Sequence, residues 1–180
     1  VVWWVEDSSE PADLVALGTD GRELGLVRVQ GGPLANLDWE DLAITDGPDG
    51  VPQVYVADIG DNLSVRPSVQ LYVFDEPSPD DDSADPRVIQ ATYEDLTGRT
   101  VRPNAEALVV QDGVVWILDK QPDGPATLYR MEPTAGDADR GILTAESTLD
   151  LPGEQVTGAD LSPDGSVLAA AVLGSVPVAV

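Results

Sequence analysis

Short runs of β-branched and aromatic residues recur along this chain, and Gly, Pro, Asn or Asp bounds each run. Runs of this length and composition predict β-strands, and the Asp-Gly pair at residues 20–21 predicts a hairpin turn. No stretch has a convincing helical period, so we expect an all-β protein. The predicted strands are Val2–Glu6, Asp13–Thr19, Glu23–Val29, Trp39–Ile44, Gln53–Asp58, Val69–Asp75, Val88–Tyr93, Ala105–Val110, Val114–Asp119, Thr127–Glu132, Ile142–Leu149, Gly158–Leu161 and Val167–Val172.

The strand runs repeat with a long period. Three of them end on an acidic residue, at Asp7, Asp58 and Asp119, and these residues lie roughly 50 to 60 positions apart. Four short antiparallel strands per repeat are typical of a β-propeller blade. We therefore predict a partial β-propeller of three to four blades, each of four antiparallel strands. The predicted blades cover residues 1–36, 37–103, 104–155 and, incompletely, 156–180.

Such a set of blades does not close a ring, because the chain begins in the second strand of one blade and stops within another. We expect the remaining blades to lie outside this sequence, or several copies to associate through their open strand edges. The apolar run Val167–Val180 is shorter than the ~20 residues that a membrane span needs, so we expect no membrane span.

The charge of the chain is strongly unbalanced. It has 33 acidic and 9 basic residues, for a net charge of −24 at pH 7. Such a surface repels phosphates, which argues against nucleic acids and anionic membranes as partners and favours metal cations or cationic ligands. Adaptation to a salty medium is the alternative explanation. Because the sequence has no His and no Cys, His-based catalytic triads, thiolate chemistry and zinc ribbons are excluded.

A short acidic motif opens the innermost strand of each predicted blade. In an antiparallel pair the start of the first strand meets the end of the second, so these side chains converge on one rim of the central channel. A bound cation would relieve their mutual repulsion, and oxygen-only ligands favour Ca²⁺, ahead of Mg²⁺ or Mn²⁺. Capping of turns by Asp and Asn is the alternative. The candidate metal ligands are Asp38, Glu40, Asp58, Asp61, Asn62, Asn104, Glu106 and Asp160.

Two cations accompany these carboxylates. Arg66 follows the segment Asp58–Asn62, and Lys120 follows the third acidic run. Their simplest role is to neutralise the neighbouring carboxylates. The alternative is catalytic: Arg66 or Lys120 holds an anionic substrate group against a metal ion, and Glu40 or Glu106 acts as general base.

Five motifs occur in a single order along nearly the whole chain, and they are Asp38–Ala43, Ala57–Asn62 with Arg66, Leu71–Pro77, Asn104–Leu108 and Val156–Gly165. Together they resemble a group of uncharacterised, exported six-bladed β-propellers of actinobacterial type, which are distantly similar to β-propeller phytases and phytase-like esterase propellers. The resemblance implies an extracellular or cell-envelope protein with bound calcium, of which about half the ring lies outside this sequence. The chain has no counterpart of the dense Lys/Arg phosphate clamp of phytases, which argues against phytate as a substrate.

Three functions follow as hypotheses. The first is an exported, calcium-stabilised binding or scaffold module, with a small-molecule or protein ligand at the mouth of the channel. The second is a metal-dependent hydrolase of phosphoesters or carboxyl esters. The third is a structural fragment that assembles through its blade edges. The first requires only the acidic rim, and we expect it for that reason.

Overall fold

The computed structural model describes residues 1–7, 11–30, 36–47, 50–121, 124–132, 139–151 and 155–173. These residues form strands and turns, without a helix among them. The strands are β1 (Val2–Val5), β2 (Asp13–Leu17), β3 (Glu23–Val29), β4 (Trp39–Asp46), β5 (Pro52–Asp58), β6 (Val69–Asp75), β7 (Ser83–Ala84), β8 (Arg87–Glu94), β9 (Thr100–Val101), β10 (Ala105–Gln111), β11 (Val114–Asp119), β12 (Ala126–Met131), β13 (Arg140–Leu149), β14 (Gln155–Leu161) and β15 (Leu168–Leu173).

The strands form successive antiparallel groups, and the inner strands of three of these groups lie side by side. The second group runs β4-β5-β6-β8 and the third runs β10-β11-β12-β13, while β1-β2-β3 and β14-β15 make shorter groups on either side. Strand β10 packs between β4 and β14, so these three inner strands surround a common axis. The all-β class and the partial β-propeller are therefore confirmed. The predicted blade limits stay a prediction.

Two pairings depart from the antiparallel pattern, a short one between β3 and β7 and a longer one between β13 and β8. The first half of β13 leaves β12 and pairs in parallel with β8, from Arg140 opposite Gln90 to Thr144 opposite Glu94. The second and third groups thereby join into one nine-stranded sheet, which also includes the short strand β9. Gly141 permits the departure, because a Cβ there would overlap the sulfur of Met131.

The core lies in layers between neighbouring groups, because each strand alternates its side chains between two faces. In β6, for example, Leu71 and Val73 face the third group, whereas Tyr72 and Phe74 face the first. A smaller cluster lies between the third group and β14-β15. The second group is thus covered on both faces, which holds the inner strand β4 firmly in place.

Three strands differ most from the sequence-based expectation. The two-residue strands β7 and β9 were not predicted, and β14 begins at Gln155, three residues before the predicted start at Gly158. Among the described residues, none lies in a helix long and apolar enough to cross a membrane.

Candidate functional site

A β-bulge lies near the start of each inner strand. The pairing register shifts around Glu40 in β4, around Glu106 in β10 and around Thr157 in β14. A bulge redirects the side chain of the extra residue away from the regular alternation of the strand. Glu40 and Glu106 therefore occupy equivalent positions on neighbouring inner strands, and Thr157 takes the same position in β14.

Three carboxylates lie close together where β1 ends and β4 begins, and we call Asp7, Asp38 and Glu40 the acidic triad. One oxygen from each residue lies within 4.8 Å of the other two, with Asp7 exposed and the others half-buried. Trp39, which is 1% exposed, anchors β4 between Asp38 and Glu40. A Cβ at Gly60 would overlap oxygens of both residues, so the glycine provides the space in which they converge.

The triad carries unbalanced negative charge. Burial raises the pKa of Glu40 to about 9, helped by the charges of Glu106, Asp38 and Asp7 and opposed by Lys120. Burial and the charge of Asp7 also raise the pKa of Asp38. Within the described part of the chain, the carboxyl of Glu40 has no hydrogen-bond partner. At neutral pH Glu40 therefore holds a proton, unless a cation takes its place.

Two asparagines connect the triad to an ion pair on the next inner strand. The side-chain amide of Asn62 donates to Asp38 Oδ2 at 3.4 Å, and that of Asn104 donates to Asn62 Oδ1 at 3.2 Å and to Glu106 Oε1 at 3.4 Å. Lys120 Nζ donates to the same Glu106 oxygen at 2.5 Å. These contacts link five of the predicted metal ligands to one another and to Lys120. The five ligands are Asp38, Glu40, Asn62, Asn104 and Glu106.

Asp58 lies beneath this site, with its side chain fully buried. Its Oδ1 accepts hydrogen bonds from Arg66 Nη1 at 2.6 Å and from the Asp38 amide at 3.2 Å. Arg66 also donates to the carbonyls of Gly60 and Asp58. The contacts of Asp58 are those of a capping residue, and the guanidinium of Arg66 holds the loop that follows β5.

Asp61 has a similar local role. Its carboxylate accepts from the amides of Val65 and Arg66, both at 2.9 Å, so it closes the loop on itself. The backbone amide of Asp61 donates to Asn104 Oδ1 at 2.6 Å, which ties this loop to β10. Asp61 therefore positions Asn62 and Asn104 relative to each other.

Asp160 is separate from the triad. It is exposed, and it lies three residues beyond Thr157, further along β14 than the bulge. One of its oxygens accepts from the amide of Leu161, and the residue borders a groove together with Glu40 and Asp41. The structure does not bring Asp160 into the cluster that the sequence predicted.

Two residues of the site were missing from the predicted ligands. Asp7 completes the triad; it ends the first strand run, and the antiparallel strand order predicts that it lies on the same rim as Asp38 and Glu40. Asp41 Oδ2 accepts from the amides of Leu108 at 2.9 Å and Ala159 at 3.2 Å, which ties β4 to both neighbouring inner strands. Burial raises the pKa of Asp41 to about 6, with a smaller contribution from Asp160, although three backbone amides oppose the shift.

Comparisons with known proteins add little to this description. No family model and no curated protein matches the chain. A chain of the solved structure described as "Crystal Structure of Mitotic Checkpoint Complex" is similar with a TM-score of 0.39 and 13% identity, over 92% of the present chain. The present chain spans 57% of the length of that chain. The strand arrangement of the present chain defines it as part of a β-propeller, and its resemblance to exported, phytase-like propellers stays a prediction.

Proposed function

We propose that this chain is a propeller-type binding module whose channel mouth holds one divalent cation, Ca²⁺ in preference to Mg²⁺ or Mn²⁺. The observation that carries the proposal is the acidic triad, in which three carboxylate oxygens lie within 4.8 Å of one another. Two oxygens bound to one Ca²⁺ at about 2.4 Å each lie no more than about 4.8 Å apart. The spacing of the triad therefore suits a single calcium ion.

The surroundings of the triad support calcium over smaller ions. Ca²⁺ takes six to eight oxygen ligands in flexible geometry, whereas Mg²⁺ requires a near-ideal octahedron. Asn62 and Glu106 lie next to the triad and offer further oxygens, and Gly60 leaves room beside it. Water would complete the coordination from the exposed side, where Asp7 lies.

Cation binding would be coupled to proton release. Because the pKa of Glu40 is raised to about 9, the carboxyl is protonated at neutral pH and must lose this proton to bind a metal. The apparent affinity for Ca²⁺ should therefore rise with pH between about 7 and 9. In calorimetry, the measured heat at pH 7 should depend on the ionisation enthalpy of the buffer.

Titration of Ca²⁺ into the chelator-treated protein, together with thermal unfolding in calcium and in chelator, tests the proposal. We expect one site and a higher Tm in calcium, since a ligand that binds only the folded state stabilises it. Glu40→Gln should abolish both effects. Glu146→Gln changes an exposed glutamate on β13 and is the matched control. Absence of binding heat and of any Tm change would exclude the metal site.

The hydrolase alternative stays a prediction. Both cations assigned to anion binding are engaged with carboxylates, Arg66 with Asp58 and Lys120 with Glu106. No contact in the described structure favours a substrate anion over these partners. Activity towards phosphoesters or carboxyl esters in the presence of calcium, lost in Glu106→Gln, would establish the alternative. Export likewise rests on the sequence resemblance alone.

A further inference from the structure

The same parallel link joins two pairs of neighbouring groups. Arg28 of β3 lies opposite Ser83 of β7, and Gln90 of β8 lies opposite Arg140 of β13. In both links the amide of the residue on β3 or β8 donates to the carbonyl just before its partner, at 3.2 Å in the first and 2.8 Å in the second. Each linking segment also comes directly before the last strand of its own group. The structure therefore uses one device twice to connect a group to the group before it.

The two links differ in extent. The link between β13 and β8 comprises five residue pairs, from Arg140 to Thr144, whereas β7 pairs with β3 at two positions. A segment opens locally at a lower free energy where fewer buried contacts and backbone hydrogen bonds hold it. We therefore expect the link to the first group to open before the other. Residues 76–86, which contain β7, are called the strap.

Two side-chain contacts hold the strap on the first group in addition to the pairing of β7 with β3. At the start of the strap, Glu76 Oε1 accepts a hydrogen bond from the indole N–H of Trp3 at 2.8 Å. Further along, Pro79 lies against Gly25 of β3, where an added Cβ would come within 1.9 Å of the Pro79 carbonyl oxygen. The strap thus closes only because position 25 has no side chain.

The strap lies in register with the part of the first group that holds Asp7. Val29 of β3 pairs with Ala84 of the strap, and its amide donates to the Ala12 carbonyl at 2.8 Å. On the next strand, β1 ends opposite Leu14, the second residue of β2, and Asp7 follows that end. The strap and Asp7 are therefore at the same end of the four-stranded sheet β1-β2-β3-β7.

We propose that the strap opens and closes while the rest of the protein stays folded, and that its closed position fixes Asp7 relative to Asp38 and Glu40. The strap can do this because it belongs to both sheets. Its strand β7 is part of the first group's sheet, and only Asp85 and Pro86 separate β7 from β8 of the nine-stranded sheet. Asp7 follows a strand of the first sheet, whereas Glu40 lies on a strand of the second.

One part of this inference rests on the proposed cation site. A cation held by the acidic triad and a closed strap stabilise the same arrangement of the two sheets. Calcium should therefore favour the closed strap, and the closed strap should tighten calcium binding by the same factor. The opening of the strap itself does not depend on calcium and is measured in chelator.

Hydrogen exchange measures the opening. The Gln30 amide donates to the strap carbonyl of Ala84 at 2.8 Å, so it exchanges when the strap opens. Gly25→Val should speed its exchange at least about tenfold, because the new side chain displaces the strap, and amides of β5 should keep their protection. Leu26→Val is the matched control, at an exposed position of the same strand.

A cross-link tests the opposite direction. Because the sequence has no Cys, Arg28→Cys with Ser83→Cys gives a single disulfide between residues that lie opposite each other. The oxidised form should slow exchange of the Gln30 amide and bind calcium at least about threefold more tightly than the reduced form, which is its matched control. Gly25→Val should weaken calcium binding by a similar factor.

The outcomes separate the two proposals. Absence of calcium binding in every form, with the exchange changes as expected, would refute the cation site and the coupling but support the opening of the strap. Calcium binding of equal affinity in the wild type, in Gly25→Val and in both redox forms would overturn the coupling alone. Unchanged exchange of the Gln30 amide in both Gly25→Val and the oxidised form, or an equal rise in β5, would overturn the opening of the strap.

Discussion

The buried pair of Asp58 and Arg66 should be the ionic contact on which the folded state most depends. The side chain of Asp58 is 0% exposed and that of Arg66 is 14% exposed, with 2.6 Å between the charged atoms. Asp58→Asn keeps the shape but places an amide where a carboxylate accepts from Arg66 and from two backbone amides, of Leu37 and Asp38. Removing one partner of a buried pair leaves the other charge uncompensated, which costs about 3–5 kcal/mol.

Urea unfolding measures this loss. With an m-value of about 2 kcal/mol/M, the expected loss lowers the midpoint by roughly 2 M. The matched control is Asp13→Asn, because the partner of Asp13, Arg28, has a 58% exposed side chain. An exposed pair is worth no more than about 1 kcal/mol, so the control should shift the midpoint little.

Two results would refute this reasoning. The first is a loss in Asp58→Asn no larger than that in Asp13→Asn. The second concerns the double variant. Adding Arg66→Met to Asp58→Asn removes the uncompensated charge, so we expect the double variant to recover part of the lost stability. A further loss of stability in the double variant would show that Arg66 acts independently of Asp58.

Three further predictions concern single contacts. Gly60→Ala should abolish the calcium response. It should lower the free energy of unfolding by no more than about 2 kcal/mol, since the overlapped carboxylates can rotate away. Gly158→Ala is the control: its added Cβ meets only an ordinary contact, so this variant should keep the response. Because the folded pKa of Asp41 is raised to about 6 from 3.8, its protonated form stabilises the fold and this contribution is lost as pH rises from about 4 to 6. Asp41→Asn should remove that part of the pH dependence in urea unfolding, up to about 3 kcal/mol, and an unchanged slope would contradict the assignment. Tyr93→Phe should not lower the Tm, because its buried hydroxyl has no hydrogen-bond partner in the described structure, whereas Tyr72→Phe loses a 2.6 Å bond to a glutamine and should cost about 1 kcal/mol.

The strands were largely predictable because their pattern is local. Runs of β-branched residues between Gly, Pro and Asp mark β5, β6 and β11 almost to the residue. Strand β7 has only Ser83 and Ala84, too few residues for any period to appear. The parallel pairing of β8 with β13 joins segments about 50 residues apart, and nothing in either segment specifies the other.

The site was predictable where it depends on antiparallel geometry alone. That geometry brings Asp38, Asn62 and Asn104 to one rim, as the order of the strands indicates. It does not distinguish a carboxylate that joins the cluster from one that accepts hydrogen bonds from a neighbouring loop, as Asp58 does from Arg66 and from the Asp38 amide. The β-bulge at Glu40 sets the direction of Asp41 apart from that of Asp38 and Glu40. A single sequence carries no signal for a bulge, so this difference was not predictable.

The parallel junction of β8 with β13 has a mechanical consequence. It gives the second and third groups one continuous network of backbone hydrogen bonds, so an applied force acts on them as on a single sheet. The first group contacts this joined sheet through side-chain packing and through β7, which pairs with β3 at two positions. Asp7 follows the last residue of β1, in the first group, whereas Asp38 and Glu40 lie at the start of β4, in the joined sheet. An ion held by all three would therefore link the first group to the sheet of the second and third groups and resist their separation.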